Sequence, residues 1–362
     1  MMKSANSCPV TLLMRPHHKP HLICKSDDAH AKTQHWFAPV TVHRSTKGND
    51  GIASTTRCDI PVEITDTKTD RTEDVVSQYD DPIQCILLCT KANDAVSALD
   101  SIWHRLQTSS PTPTKVIILS NGALAIRRAI YEHFGGDKQH RVQIELGTTT
   151  HGAYRTTLSP QSAANESDGN TGQYNITHAG EGSTHCTDKY FISICQSVEW
   201  DSTVLSDLDM NVMLWKKLAV NCIINPLTAV HGVKNGQLLD IKHRGEDIAV
   251  ITRTLLEEVS RVAIMEMEEL FAEERRMHGT NIDVWLQSTR EQLSVPSLER
   301  FVFKVMSDTG DNVSSMLQDV NAKRNTEVRF LNGYVASLGK EKYGFHCPLN
   351  MEMCRLVEEL KP

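Results

Sequence analysis

Two apolar runs of strand length, each leading directly into a segment with helical periodicity, constrain this chain more than any other feature. IQCILLCT at 83–90 runs into KANDAVSALDSIWHRL at 91–106, and KVIILS at 115–120 runs into NGALAIRRAIYEHF at 121–134. A strand that is apolar throughout has no solvated face, so it belongs in a parallel sheet covered on both sides by helices. Alternation of such strands with helices predicts a doubly wound α/β domain, with its ligand beyond the carboxyl ends of the strands. Arg15, Lys91 and Asn121 fall at such ends, after CPVTLLMR (8–15), IQCILLCT and KVIILS. VQIELGTTTHGAYRT at 142–156 continues the sheet in this reading. Residues 25–80 are polar, Thr- and Asp-rich and weakly periodic, which predicts loops with short strands, and SPQSAANESDGNTGQ at 159–173 is a second variable loop.

From about residue 206 the pattern becomes helical, with 3.6-residue periodicity over 213–224, 246–272, 297–320 and 327–342. The expected fold class is therefore α/β plus all-α, divided into 1–205 and 206–362. A chain of 362 residues, 40% of them hydrophobic, has enough apolar mass for two cores. No apolar run approaches the roughly 20 residues of a membrane-spanning helix. The formal net charge is −7 with no dense Lys/Arg block, so the footprint expected for nucleic acid is missing and small molecules are the expected partners. Ten cysteines without a CxxC pair suit reduced thiols in a cytosol-like compartment, and no signal peptide precedes the first strand. A cytoplasmic location is expected on these grounds, with organelle targeting and a homo-oligomer both left open. His17, His18, His21, His30, His35 and His43 crowd the early chain, but no HExxH spacing is present, so solvated histidines and no metal site are expected.

LWKKLAVNCIINPLTAV at 214–230 combines a buried helix pattern with Lys217, Asn221 and Asn225 at intervals of four. At 100° per residue those three positions lie within about 80° of one another. A polar stripe surrounded by Leu218, Ala219, Val220, Cys222, Ile223 and Ile224 is either a surface face or the wall of a wet cleft. The cleft reading is favoured because buried polar groups without partners cost about 1–3 kcal/mol each. Asn225-Pro226 is expected to end or bend the helix.

KLAVNCIINPLTAV, NGQLL (235–239) and SSMLQDVNAKRNTEVRFLNGYV (314–335) resemble the C-terminal domain of the ketopantoate reductases, the NADPH-dependent 2-dehydropantoate 2-reductases. LLCTKANDA, LSNGALA and LGTTTHGAYR resemble that family's nucleotide-binding segments, in the same order. The resemblance implies a Rossmann-type dinucleotide-binding domain followed by a helical substrate domain of the 6-phosphogluconate dehydrogenase C-terminal type. It implies NADP as cofactor and a small 2-keto acid as substrate, in pantothenate and coenzyme A biosynthesis. Lys217 corresponds to the family's proton donor, and Glu327 to a glutamate near that lysine and the nicotinamide ribose. Asn221, Asn225, Asn235 and Ser315 match substrate contacts, and Asn121 matches a residue touching both substrate and cofactor. Arg15, Lys91 and Ala153 match cofactor contacts, with Arg15 placed to favour a 2′-phosphate. From the residues alone, Arg15 equally reads as a surface base, and Glu327 as a carboxylate complementing a helix N-terminus. Asp319, four residues after Ser315, reads as support for its own helix.

The family's Gly-x-Gly-x-x-Gly turn is absent from the sequence. A β–loop–α unit of about thirty residues is expected to be missing, which would make the dinucleotide domain incomplete and cofactor binding weak. An incomplete translation of a normal reductase is the favoured explanation. The alternatives are a degenerate, non-catalytic relative and a helical interaction protein.

Overall fold

The computed structural model describes residues 12–14, 23–25, 35–45, 52–64, 83–106, 112–135, 141–155, 174–180, 182–197, 199–243, 245–279 and 283–360. Arg15 and the 159–173 loop lie outside the described residues.

The two apolar runs form strands β5 (Cys85–Leu88) and β6 (Thr114–Ile118), which pair in parallel with each other and with β7 (Val142–Thr149). Helices α1 (Ala92–Ile102) and α2 (Ala123–His133) follow β5 and β6, as the alternation requires. Strand β10 (Thr184–Cys186) adds antiparallel to β7, and β11 (Ser202–Val204) parallel to β10, which gives the order β11-β10-β7-β6-β5. Val116 and Ile118 are fully enclosed on one face under α1 and α2, while Ile117 packs with Cys186 and Ile192 of α3 (Lys189–Ser197) on the other. Both faces of β6 are covered, which explains why its sequence shows no alternation. β5 is the outer strand of this sheet, and Leu87 on it is 48% exposed.

A second sheet corrects the expectation for 25–80. Strands β3 (His35–Ser45) and β4 (Ile52–Ile64) form a long antiparallel ladder, joined by β1 (Leu12–Met14) on β4 and by β2 (Ile23–Lys25) and β9 (Tyr174–Gly180) on β3. β8 (Gly152–Arg155) completes it against β9. Pro39 and Pro61, which argue against strands because they donate no ladder bond, sit inside this hairpin opposite Asp59 and Phe37. LGTTTHGAYR is therefore shared between two sheets, β7 ending in one and β8 starting in the other. Likewise, the strand before Arg15 pairs with β4 and not with the parallel strands.

From α4 (Asp207–His231) onward the chain is almost entirely helical, interrupted by the two-residue strands β12 (Lys242–His243) and β13 (Glu246–Asp247). Ser206 caps α4 by accepting from the Asp209 backbone N–H at 3.2 Å, and Gly232 ends it in the left-handed region at φ 66°. Long α5 (Ile248–His278) stops the same way at Gly279, with Arg275, Arg276 and His278 in its last turn. α6 (Asp283–Gln292), α7 (Val295–Asp308), α8 (Ser315–Asn321), α9 (Asn332–Tyr343) and α10 (Pro348–Glu359) complete the bundle. The single helix expected over 297–320 is two, because Thr309, Gly310, Asp311 and Asn312 break it. Within α4, Trp215, Ala219, Cys222 and Ile223 are fully buried against this bundle.

Of the two outcomes expected at Asn225-Pro226, an end or a bend, the helix does not end there: α4 runs on through Pro226 to His231. A helix-interior proline removes the bond to the carbonyl four residues back, here that of Cys222. That oxygen accepts instead from Asn332 Nδ2 at 2.9 Å, so the helix continues for another turn.

Among the described residues, no helix is long and apolar enough to cross a membrane.

Candidate active site

The polar stripe of α4 faces a cleft. Lys217 and Asn221 line an open cleft together with Ser120, Asn121, Gly122 and Phe330. The cleft thus opens between the β6–α2 turn, the middle of α4 and the segment before α9. Gly122 has φ +72°, and a Cβ there would meet the Phe330 carbonyl oxygen at 3.1 Å. Glycine at this position therefore satisfies both the left-handed turn and the close approach of the two halves.

Lys217 Nζ donates to Thr148 Oγ1 at 2.8 Å and to the Thr149 carbonyl at 3.3 Å. Both acceptors are neutral, and the surround is largely apolar, so burial lowers the Lys217 pKa to about 8 while the Glu327 carboxylate pulls it back up. Glu327 itself is buried, and burial raises its pKa against the Ala92 backbone N–H, the Lys91 charge and an Asn121 side-chain hydrogen bond. Its Oε1 accepts from Ala92 N, the first residue of α1, at 2.9 Å. The helix-terminus reading of Glu327 therefore holds, but for a helix 235 residues away in sequence. Asn93 Nδ2 adds a bond to the Thr326 carbonyl at 3.0 Å and fastens the same junction.

Lys91 sits at the N-cap of α1 and is ion-paired with Asp319, which also accepts from Arg324 Nε at 3.0 Å. Asp319 thus does more than support its own helix: its nearly inaccessible carboxylate crosses to the strand-bearing half. The remaining positions are dispersed. Asn225 is buried one turn beyond Asn221 and is not part of the cleft lining. Asn235 is buried in the turn after α4, at the start of a short 3-10 helix (Gly236–Asp240), where Nδ2 donates to Thr309 Oγ1 at 2.9 Å and Oδ1 has no protein partner. Ser315 is exposed at the start of α8, whereas its neighbour Ser314 is buried, caps that helix and pairs with Thr228 Oγ1 at 2.6 Å. Ala153 lies in β8 opposite His178.

The structure thus brings together Lys217, Asn221, Asn121 and Glu327, with Lys91 at the neighbouring helix end. Phe330 lines the same cleft and Thr148 holds Lys217 beside it, and both were missed by sequence reasoning. Thr148 stands inside a quoted motif, LGTTTHGAYR, and that was the signal available for it.

Residues 7–188 match the family described as ketopantoate reductase PanE/ApbA, and residues 209–361 match its C-terminal domain. A 2-dehydropantoate 2-reductase of Shigella flexneri is 28% identical over 285 residues, which span 75% of this chain and 73% of that protein. The solved 2-dehydropantoate 2-reductase of Geobacter metallireducens superposes with TM-score 0.55 at 14% identity, covering 97% of this chain and 99% of that one. A D-mandelate dehydrogenase solved in complex with NADH gives TM-score 0.58 at 19% identity, covering 84% of this chain and 82% of that one. Two matches in series, together spanning nearly all of the described helices and strands, establish that the chain belongs to the ketopantoate reductase family.

Proposed function

We propose that this protein reduces 2-dehydropantoate to pantoate with NADPH, in a dinucleotide-binding half of residues 1–205 and a helical half of residues 206–362. The observation that carries this reading is Lys217, which lines the cleft beside Asn121 and Asn221 with Nζ held by Thr148 and the Thr149 carbonyl, where burial lowers its pKa and the Glu327 carboxylate raises it. A lysine whose pKa lies near the working pH serves well as a proton donor.

The described residues fit the reactive end of a nicotinamide cofactor. Asn121 supplies a carboxamide at the cleft, and Gly122, where a Cβ would meet the Phe330 carbonyl oxygen at 3.1 Å, keeps its wall open. Lys91, Asn121, Ala153, Glu327 and Arg15 are the residues proposed to hold it. When bound, the reduced nicotinamide supplies a hydride to the keto carbon.

Lys217 Nζ then stabilises the oxyanion that develops and gives it a proton, leaving a neutral amine that is reprotonated from solvent. Glu327 favours the protonated amine beforehand. Asn221, in the cleft lining, orients the hydroxy-keto acid, whereas Asn225, Asn235 and Ser315 lie outside that lining and are proposed as substrate contacts only on their match to the family motifs. The first N–H groups of α2, at the cleft wall from Ala123 to Ala125, favour the substrate carboxylate. A reducing, cytosol-like compartment suits the protein, in which Cys186, Cys222, Cys347 and Cys354 are buried free thiols.

The test is NADPH consumption by the purified protein on addition of ketopantoate, compared with other 2-keto acids at equal concentration, with NADPH raised until the rate saturates, because the absent Gly-x-Gly-x-x-Gly turn makes cofactor binding weak. Preference for ketopantoate in kcat/KM supports the reading, and turnover confined to other keto acids removes the substrate assignment. Cofactor choice has its own test. Arg15→Ala is expected to lower the NADPH-over-NADH ratio of kcat/KM roughly tenfold, the worth of one exposed charge-assisted bond to a phosphate. An unchanged ratio takes Arg15 out of the account.

A further inference from the structure

The carbonyl freed by Pro226 lies on the helix that carries Lys217, Asn221 and Asn225, one residue beyond Asn221. Its partner, Asn332, is completely buried and begins α9, two residues after the cleft residue Phe330 and five after Glu327. Asn332 Nδ2 donates both to the Cys222 carbonyl and to Asn350 Oδ1, each at 2.9 Å. Asn350 is in turn held by buried Glu258, which accepts from Asn350 Nδ2 at 2.7 Å and from the Leu349 and Asn350 backbone N–H groups at 2.9 and 3.0 Å. Asn332 Oδ1 is buried without a protein partner. A site that tolerates an orphaned amide oxygen in order to keep both N–H donors engaged is built around donation.

We infer that Asn332 is a positioning residue: by replacing the backbone donor that Pro226 removes, it locks the Lys217-bearing helix to the segment that carries Glu327 and Phe330. The inference rests on the proposed function for its catalytic consequence, but not for its structural part. Without the side-chain donor the two walls of the cleft have no polar tie at this level. The direct hydrogen bond from α4 to this segment would be lost, and the apolar contacts that remain around it are non-directional. The Lys217–Glu327 geometry would then loosen, and water would reach the lysine.

The experiment compares wild type, Asn332→Ala, Pro226→Ala and the double variant as full chains. Pro226→Ala restores the N–H for Cys222 within the helix, so it should make the loss of Asn332 less costly. Asn332→Ala alone is expected to lower Tm by roughly 4–12 °C, because it orphans both the Cys222 carbonyl and Asn350 Oδ1, and the double variant to recover the Cys222 share, about half of that loss. The tie to the Glu327 segment stays broken in both. Hence kcat for ketopantoate should fall roughly tenfold in the single and double variants alike, with KM changed far less. Competitive acetylation of Lys217 across pH, read by mass spectrometry, requires no turnover. Its midpoint should rise from about 8 toward the ordinary lysine range in both Asn332 variants and stay put in Pro226→Ala.

Additive Tm losses would overturn the repair of the helix. An unmoved Lys217 midpoint, or one that returns to wild type together with Tm, would overturn positioning and leave Asn332 a structural residue. Absence of ketopantoate reduction by wild type would count against the functional reading alone, because the Tm cycle and the acetylation midpoint are read without it.

Discussion

Lys217→Ala is expected to lower kcat for ketopantoate reduction by about 10²–10⁴-fold, with a much smaller change in KM. The side chain meets Thr148 and Thr149 in the protein as it stands, and neither needs an ammonium for its own stability. The Lys217 hydrogen bonds go only to neutral oxygens, and the buried Glu327 carboxylate keeps the Ala92 N–H and the Lys91 charge when the ammonium is removed. The folded protein should therefore tolerate the change, and the loss should fall on the step in which the oxyanion forms and takes its proton. Steady-state kinetics, with circular dichroism to verify folding, measures this. A variant with near wild-type kcat would mean that another group, or water, donates the proton.

Glu327→Gln should lower kcat/KM about 100-fold, by a different route. Its carboxylate raises the Lys217 pKa and also caps α1 through Ala92 N. The amide preserves an acceptor for the cap but removes the charge. Lys217, still desolvated, should then titrate lower, so that less of the active ammonium is present at neutral pH and above. The lost charge at the α1 terminus costs a further 0.3–1 kcal/mol or so, which weakens the junction beside Lys91. The cap and the charge can be separated by comparing Gln with Ala. Equal losses in the two would assign the effect to charge, whereas a far larger loss in Ala would assign it to the cap.

Much of the architecture was legible because it follows from burial. Unbroken apolar strands such as KVIILS are required when both faces of a sheet are covered, and the 3.6-residue pattern after 206 is required when helices pack on helices. The polar stripe of α4 was legible for the same reason, as the exception in a buried helix. The β3–β4 hairpin was not, because its strands alternate weakly and carry Pro39 and Pro61. Pro226 misled in the opposite sense. A local rule predicts a broken helix, and the donor that keeps it whole comes from Asn332, a pairing across 110 residues that no window of sequence contains.

The candidate site was readable in part, and the division is physical. Side chains on one helix face, Lys217 and Asn221, are tied by helical geometry and therefore appear as a pattern. Glu327 and Asp319 reach α1 across the interface between the two halves, so their partners Ala92 and Lys91 depend on how those halves dock. Thr148, the hydroxyl that receives the Lys217 ammonium, ends up there because β7 terminates beside α4.

The central claim is that Lys217, desolvated and biased by Glu327, donates the proton to the keto oxygen. The most direct test is the single-turnover rate of NADPH oxidation with ketopantoate, measured from about pH 6 to about pH 10 in wild type and Glu327→Gln. A proton donor is active below its pKa, so the rate should be full at low pH and fall as pH rises through about 8, with the falling limb displaced to lower pH in the variant. A rate that rises with pH, or a limb near 8 that Glu327→Gln leaves unmoved, would contradict the account.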